Sequence, residues 1–383
     1  MSEASTRPTA VSLPELRAQL DAVDRQVLEL LAQRMRIVTE VARYKRAENV
    51  GILDGDRERQ VLDARRALAI ELGLDPAPIE SIYRQILLAS RDYQASLGTS
   101  LPQSDPKSVL IVGGEGSMGA VLARMFRELG HRVELADLHT PRSAAELVAD
   151  ADVVVISVPI AVTEDVIRDL GPKLRPESLL LDVTSIKAGP LAAMLASTQA
   201  SVVGTHPMFG PGAQSLLGQR VVVCKGRGDA WHTWLLESFR ARGLVVTEAD
   251  SDEHDRAMAL VQVLTHFQTQ VFGLALARSG VPLAQSRRFT SPAYLMELYV
   301  AARHFAQAAS LYGPIEMRNP ATREVTAQFR RAAQELSEIL ETKDQARFEA
   351  VFDEVRTFFG EFAQEATEQS RFLIDRLVER STG

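Results

Sequence analysis

Cysteine is nearly absent from this 383-residue sequence. Cys224 stands alone, which excludes an intramolecular disulfide and any cysteine-based metal site, and suits a reducing compartment. It closes the apolar run RVVVC and so reads as a buried strand residue rather than a nucleophile. Metal-ligand spacing is missing as well: the 7 histidines are scattered, with no H-E-x-x-H or similar pattern, and no metal is expected. No apolar run is long enough to span a bilayer, and the first residues lack the apolar core of a signal peptide. Positive charge is in deficit, 43 Lys and Arg against 50 Asp and Glu, a net charge of -7 that argues against a nucleic-acid or anionic-membrane partner. What is left is an ordinary cytoplasmic composition, 46% hydrophobic and 24% charged, long enough for two or three domains.

The chain is organised around VLIVGGEGSMG, Val109 to Gly119. A β-branched run ends in glycines, and a helical pattern follows at once from Ser117 to Leu129. Gly114, Gly116 and Gly119, with Ser117 and Met118 between them, fit the G-x-G-x-x-G spacing of a dinucleotide turn. There the first glycine permits the tight turn, the second lets backbone approach a pyrophosphate, and the third lets helix pack on strand. Free amides and the dipole at the helix start then hold the phosphate charge. The next strand-like run ends at Asp137, placed to bind ribose hydroxyls and to repel a 2′-phosphate. NAD is the cofactor expected.

Ahead of that turn lies a different pattern. Leu13, Leu16, Leu20, Val23, Val27, Leu30, Arg34, Ile37 and Val41 recur at alternating steps of three and four, a seam for packing against other helices and for a dimer. Arg34 is a cation in that apolar row and needs a partner if buried. Lys45 follows three turns on, about 16 Å along the axis, and Arg17 sits one place off the seam. A second helix is predicted over 56–72 with Arg57 and Glu58 in its first turn, introduced by Asp54 and Gly55. After a break at 72–78 a third begins at Ile79, where Ile79, Ile82, Tyr83, Ile86, Ser90 and Gln94 share a face. Three helices that place polar groups on core faces predict a buried polar pocket in an all-helical bundle.

Residues 96–107 read as a linker, small, polar and proline-bearing. Beyond it strands are predicted over 108–113, 131–136, 153–157, 178–183, 201–205, 220–224 and 244–248, with helices between several of them. Continuous apolar strands such as VVVIS and LLLDV predict a sheet covered on both faces, a doubly wound, Rossmann-like α/β domain over 108–250. Ligands in such a domain lie past the carboxyl ends of strands. Those ends carry the glycine turn, Asp137, Ser157-Val158-Pro159, Ser185 and Lys187, and His206. From about 251 to 383 the pattern is helical and strongly apolar, fit to close over the nicotinamide end of the cleft and to supply a dimer interface.

Two resemblances follow from these motifs. Residues 13–95, in an all-helical domain expected over 1–95, carry, in order, LRAQLDAVDRQVLELLAQR, Lys45, LDGDRER, Ser90 and Gln94, and resemble the all-helical chorismate mutase family. That resemblance implies Arg17, Arg34, Lys45, Asp54, Arg57, Glu58, Ser90 and Gln94 as site residues. Arg17 and Arg34 would bind the carboxylates of chorismate. Lys45 and Gln94 would serve the ether oxygen, and Asp54 and Glu58 the ring hydroxyl. Arg17 would reach the pocket of a partner subunit. Residues 108–375 carry VGGEGSMG, SVPI, SIKAGPL, THPMFGP, EHDRAM and AARHFAQ, and resemble prephenate dehydrogenases. Here the resemblance implies that His206 accepts the proton of the ring hydroxyl as hydride leaves for NAD, with Ser185 orienting it. Arg303 would bind a substrate carboxylate, and Lys187 and His266 lie near the site. Glu115 departs from the glycine of many relatives, and a carboxylate there would weaken cofactor binding.

Both halves together resemble the bifunctional chorismate mutase/prephenate dehydrogenase family, with chorismate and prephenate as substrates, a homodimer as the assembly, and tyrosine feedback to consider at or over the dehydrogenase site. Two other readings compete. One is a monofunctional prephenate or arogenate dehydrogenase whose helical segment only dimerises, against which stands the full pocket set. The other is an NAD-sensing module without catalysis, which leaves His206 and Arg303 unexplained.

Overall fold

The computed structural model describes residues 12–47, 55–96, 105–213 and 215–381. Asp54 lies outside them. Three helices come first: α1 (Leu13–Ala47), α2 (Gly55–Glu71) and α3 (Pro76–Ser96). The third starts earlier than the expected Ile79, because Asp75 accepts a hydrogen bond from the Ala77 amide at 3.0 Å and Pro76 fits the first helical position. α2 packs along α3, and α1 meets α3 only near its C-terminal end, where Val38 and Ala42 are buried. The rest of the α1 seam faces outward, with Leu13, Leu20, Val27 and Leu30 exposed at 60%, 63%, 49% and 64%.

The α/β region alternates β1 (Ser108–Val112), α4 (Ser117–Glu128), β2 (Arg132–Ala136), α5 (Ala144–Leu147), β3 (Val153–Ile156), α6 (Ile160–Leu170), β4 (Leu179–Asp182), α7 (Ala188–Ser197) and β5 (Ser201–Pro207). It closes with β6 (Arg220–Arg227), α8 (Asp229–Ala241) and β7 (Val245–Glu248). The strands form one sheet of 7 in the order β2-β1-β3-β4-β5-β6-β7. All neighbours are parallel except β5 and β6, so β1, β3, β4 and β5 present their carboxyl ends along one edge. Both faces are covered. Ile111, Val153 and Val155 pack with Leu122 and Phe126 of α4 on one side, while Leu110, Val154 and Ile156 pack with Ile167 and Met194 on the other. Each such side chain stabilises the fold by about 1.5–3 kcal/mol relative to exposure. Cys224 is fully buried in β6, and burial pushes its thiol up to about 12, which removes it as a nucleophile.

After the sheet the chain is helical: α9 (Ser251–Met258), a π-helical turn (Ala259–Leu264), α10 (Thr265–Arg278), α11 (Leu283–Arg288), α12 (Pro292–Phe305), α13 (Ala309–Arg318), α14 (Thr322–Thr342), α15 (Gln345–Phe359) and α16 (Phe362–Ser381). Among the described residues, no helix is long and apolar enough to cross a membrane.

A close backbone approach sits at the turn between β1 and α4. Gly113 has φ 81°, and a Cβ there would lie 2.4 Å from the Ser157 carbonyl oxygen. A non-glycine residue held left-handed costs about 1–3 kcal/mol even without that clash. Gly113→Ala should therefore lower the thermal midpoint of this domain. Fluorescence of Trp231 and Trp234, both on α8, reads the domain directly; an unchanged midpoint would contradict the contact.

Candidate functional site

At the head of the sheet the glycines do distinct work. Gly113 makes the turn itself, a role the sequence pattern had given to Gly114. A Cβ on Gly119 would lie 2.4 Å from the Gly113 carbonyl oxygen, so only glycine lets α4 pack this close to the strand end. Gly116 caps α4 with no side-chain acceptor, which leaves the first amides of the helix for a ligand anion. Ser157 and Val158 line the turn from β3, and Pro159 opens α6. Asp137 at the end of β2 is tethered to the turn: its carboxylate accepts from the Glu115 amide at 3.1 Å and the Leu138 amide at 2.8 Å. The Glu115 side chain is exposed, and its backbone amide is the group that bonds Asp137.

β5 delivers His206 to the same edge as the turn, 3% exposed. Its Nδ1 lies 2.9 Å from His254 Nε2, and its Nε2 lies 3.3 Å from the Gln262 amide nitrogen. Burial first, then the Lys187 ammonium and the His254 ring, hold this imidazole well below its ordinary value, so it is neutral at neutral pH. The hydrogen bonds of His206 go to His254 and Gln262; Ser185, expected to orient it, makes none of them.

Lys187 also differs from expectation. Its side chain is fully buried under the sheet edge, where Nζ pairs with Asp182 and donates to the Thr205 carbonyl oxygen at 2.6 Å. Gly204 makes room for it, since a Cβ there would meet Lys187 Cδ at 3.1 Å. A lysine with its ammonium spent this way supports the sheet and does not reach a substrate.

His266 stands in a second cluster with His304, Tyr312, Gln270 and Glu316. His266 Nδ1 and Glu316 Oε1 are 3.7 Å apart, yet this is no ion pair. Burial, helped by His304, lowers His266 to about 4, and burial raises Glu316 against a hydrogen bond from Gln270, so both favour the neutral form. Arg303, next to His304 on α12, is exposed and makes no ion pair among the described residues.

In the helical segment Arg34 donates to the Ser90 hydroxyl across the α1–α3 contact. Burial lowers the guanidinium somewhat, opposed by Tyr83 and reinforced by Arg65. Glu58 accepts from Arg91 at 2.8 and 3.0 Å, a partner the sequence had not suggested. Gln94 keeps a buried amide oxygen without a partner among the described residues, Lys45 is half-buried, and Arg57 and Arg17 are exposed. The structure thus brings Arg34, Ser90 and the Gln94 side of α3 together and leaves Arg17 on an open helix face.

A glycine cradle, a carboxylate at the end of the next strand and a buried neutral imidazole on one sheet edge are the features of a nicotinamide-dependent dehydrogenase, here behind a helical bundle that carries cations. Family models match in the same order: chorismate mutase type II over residues 16–95, the prephenate dehydrogenase nucleotide-binding domain over 124–244, and the prephenate dehydrogenase dimerization domain over 250–354. The second match begins past the glycine turn, so that turn rests on its own geometry. The T-protein of Haemophilus influenzae is 34% identical over 97% of this chain and 99% of its own length. That of Enterobacter agglomerans is 37% identical over 94% and 97%. A solved prephenate dehydrogenase from A. aeolicus, in complex with hydroxyphenyl propionate and NAD+, superposes with TM-score 0.55 at 18% identity, over 67% of this chain and 98% of that one, a likeness of fold. The chain belongs to the T-protein family, the bifunctional chorismate mutase/prephenate dehydrogenases.

The buried imidazoles predict acid sensitivity. Unfolded histidine titrates near 6.5, whereas folded His206 and His266 take up a proton only well below that, His266 at about 4. Between those values the unfolded chain binds more protons, so their contribution is present above about 6.5 and is lost as pH falls toward 4. The urea midpoint should drop from about pH 7.5 to about pH 5, and His266→Phe should shrink the drop. Equal drops in variant and wild type would remove His266 from this account.

Proposed function

We propose that the chain rearranges chorismate to prephenate in the bundle of α1 to α3, and oxidises prephenate with NAD at the edge of the sheet, with loss of the ring carboxylate, to give 4-hydroxyphenylpyruvate. The observation that carries this reading is His206, a neutral buried imidazole at the end of β5, on the edge that bears the glycine cradle. The division of labour follows the chain: 1–95 for the mutase, 96–107 as linker, 108–250 for the cofactor and 251–383 for substrate and dimer contacts.

The fit to NAD is physical. The uncapped start of α4, with the amides of Ser117 and Met118, suits a pyrophosphate, and Asp137 suits an unphosphorylated ribose. When bound, NAD supplies the hydride acceptor. His206 takes the proton of the ring hydroxyl as the carbon it sits on is oxidised, which requires the neutral ring. Its burial keeps water away from that nitrogen. Arg303 is assigned to a substrate carboxylate and His266 to the nearby wall of the site, with Ser185 beside the cofactor end.

For the mutase no proton need move. Arg34 holds a carboxylate, Lys45 and Gln94 serve the ether oxygen, and Asp54, Arg57, Glu58 and Ser90 complete the pocket, so that the compact conformer is fixed and developing charge is met. The exposed seam of α1 supports a homodimer in which Arg17 enters the partner's pocket. Tyrosine fits the same frame as an inhibitor at the dehydrogenase site, and the reading places the enzyme in the cytoplasm.

Two experiments decide. Purified protein should make prephenate from chorismate alone and NADH once NAD is added. His206→Asn should abolish NADH formation, by about 10²-fold or more, while sparing the mutase, and Arg34→Ala should do the reverse. Equal loss of both activities in either variant would refute separate sites. Separately, Leu20→Asp on the seam should cut mutase activity more than dehydrogenase activity and weaken the dimer in sedimentation; an unchanged mutase rate would show that α1 completes no partner site.

A further inference from the structure

His206 is held at both ring nitrogens, and the chain of contacts has a direction. Asp255 Oδ1 lies 2.8 Å from His254 Nδ1, His254 Nε2 lies 2.9 Å from His206 Nδ1, and His206 Nε2 lies 3.3 Å from the Gln262 amide nitrogen. The side chains of His254 and Asp255 are 0% and 1% exposed, so water does not compete for these contacts. The Asp255 carboxylate also accepts the Lys187 and Ala188 amides at 2.8 and 3.0 Å. Burial alone would raise its carboxyl, but the hydrogen bonds from His254 and these amides bring it below its usual value, so it is an acceptor throughout.

One set of proton positions satisfies every link. Asp255 accepts, so His254 carries its proton on Nδ1 and leaves Nε2 bare. The bare Nε2 accepts from His206, whose proton is then on Nδ1, and His206 Nε2 is left with a lone pair facing a donor, the Gln262 amide. The opposite arrangement makes His254 a buried cation. It sets a positive charge beside His206, on which the Lys187 ammonium already acts, and it points His206 Nε2–H at an N–H donor. We infer that Asp255 and His254 are positioning residues that set the tautomer of His206, with the proton on Nδ1 and the base on Nε2. The inference deepens the proposed dehydrogenase reading and rests on it for its catalytic consequence.

Gln262 supplies the other end. It lies in the π-helical turn, a distortion that often marks functional sites, and its amide oxygen is buried without a partner among the described residues. Its 3.3 Å contact is the longest of the three, and it is the one a substrate hydroxyl replaces. In the step itself the substrate O–H and carbinol C–H bonds break and a C=O bond forms, the proton going to His206 Nε2 as a new N–H bond while bound NAD would accept the hydride. The imidazolium so formed donates through Nδ1 to His254, whose far nitrogen is backed by the Asp255 carboxylate.

The test has two arms on the full-length protein. With histidines labelled in nitrogen-15, seven in all, the ring resonances lost in His206→Asn identify His206. Wild type should show Nδ1 protonated and Nε2 bare, and a protonated Nε2 overturns the inference whatever the activity. In the kinetic arm His254→Leu should lower kcat for prephenate oxidation by about 10²-fold with KM changed little. His254→Gln, whose amide oxygen can accept from Nδ1, should recover most of that loss. The mutase rate of each variant reports that the chain is folded. Failure of wild type to reduce NAD with prephenate refutes the dehydrogenase reading, while the resonances still decide the tautomer. Equal kcat in the Leu and Gln variants refutes the positioning role.

Discussion

The carboxylate of Asp255 is the joint on which the dehydrogenase half depends. It sits at the start of α7, where the Lys187 and Ala188 amides point at it, and it belongs to α9, the first helix past the sheet. Hydrogen bonds to a charged group each contribute about 1.5–3 kcal/mol, and an acid at a helix N-terminus adds the dipole's attraction. One side chain therefore locks the helical region onto the α/β region, and the Asn319 amide reinforces the joint by donating to the Asp255 carbonyl at 2.8 Å. The same side chain orients His254. The contact between the two regions and the orientation of His254 thus share one carboxylate.

Beneath His206 lies a second constraint. Asp182 and Lys187 form a fully buried pair, with Thr184 donating to the carboxylate and the Lys187 ammonium also bonded to the Thr205 carbonyl oxygen. Such pairs contribute little relative to apolar packing, but removal of one partner costs about 3–5 kcal/mol because a bare charge remains. Here the ammonium has a further effect: its field works with burial to keep the His206 ring uncharged. A lysine taken from sequence for a substrate ligand is instead part of the floor that keeps the base neutral.

How much of this was legible in the sequence varies with the physics. The seven strands, the glycine turn and Asp137 were readable because β-branched runs, glycine spacing and strand ends are local signals. The start of α3 at Pro76 is less legible, since Asp75 and Pro76 read as part of a break and the cap on the Ala77 amide has no periodic signal. Gly113 escaped notice because the motif directs attention to the three glycines after it. His206 was found at its strand end, but its partners were not: Asp255 and His254 lie 48 or more positions away, and their alignment depends on how α9 docks. Gln262 had no signal at all, because a π-helical turn has no periodicity that a sequence betrays. Arg91 sat in plain view one residue after Ser90, yet its pairing with Glu58 required the α2–α3 crossing.

The two sites rest on opposite electrostatic demands, and this explains which residue types occupy each. A rearrangement without proton transfer needs charge that never changes, and an arginine such as Arg34 remains a cation even where burial lowers its affinity for the proton. An oxidation that removes a hydroxyl proton needs a group that is uncharged before the step and charged after it. Only a histidine titrates close enough to neutrality for that, and only burial with a directed hydrogen bond makes one of its nitrogens the reliable acceptor. Fixed cations tolerate the open, helix-lined setting of α1 to α3, where Arg17 stands exposed. A switchable base does not, and His206, proposed as that base, is buried at the end of a central strand, in contact with His254 from the helical region that follows.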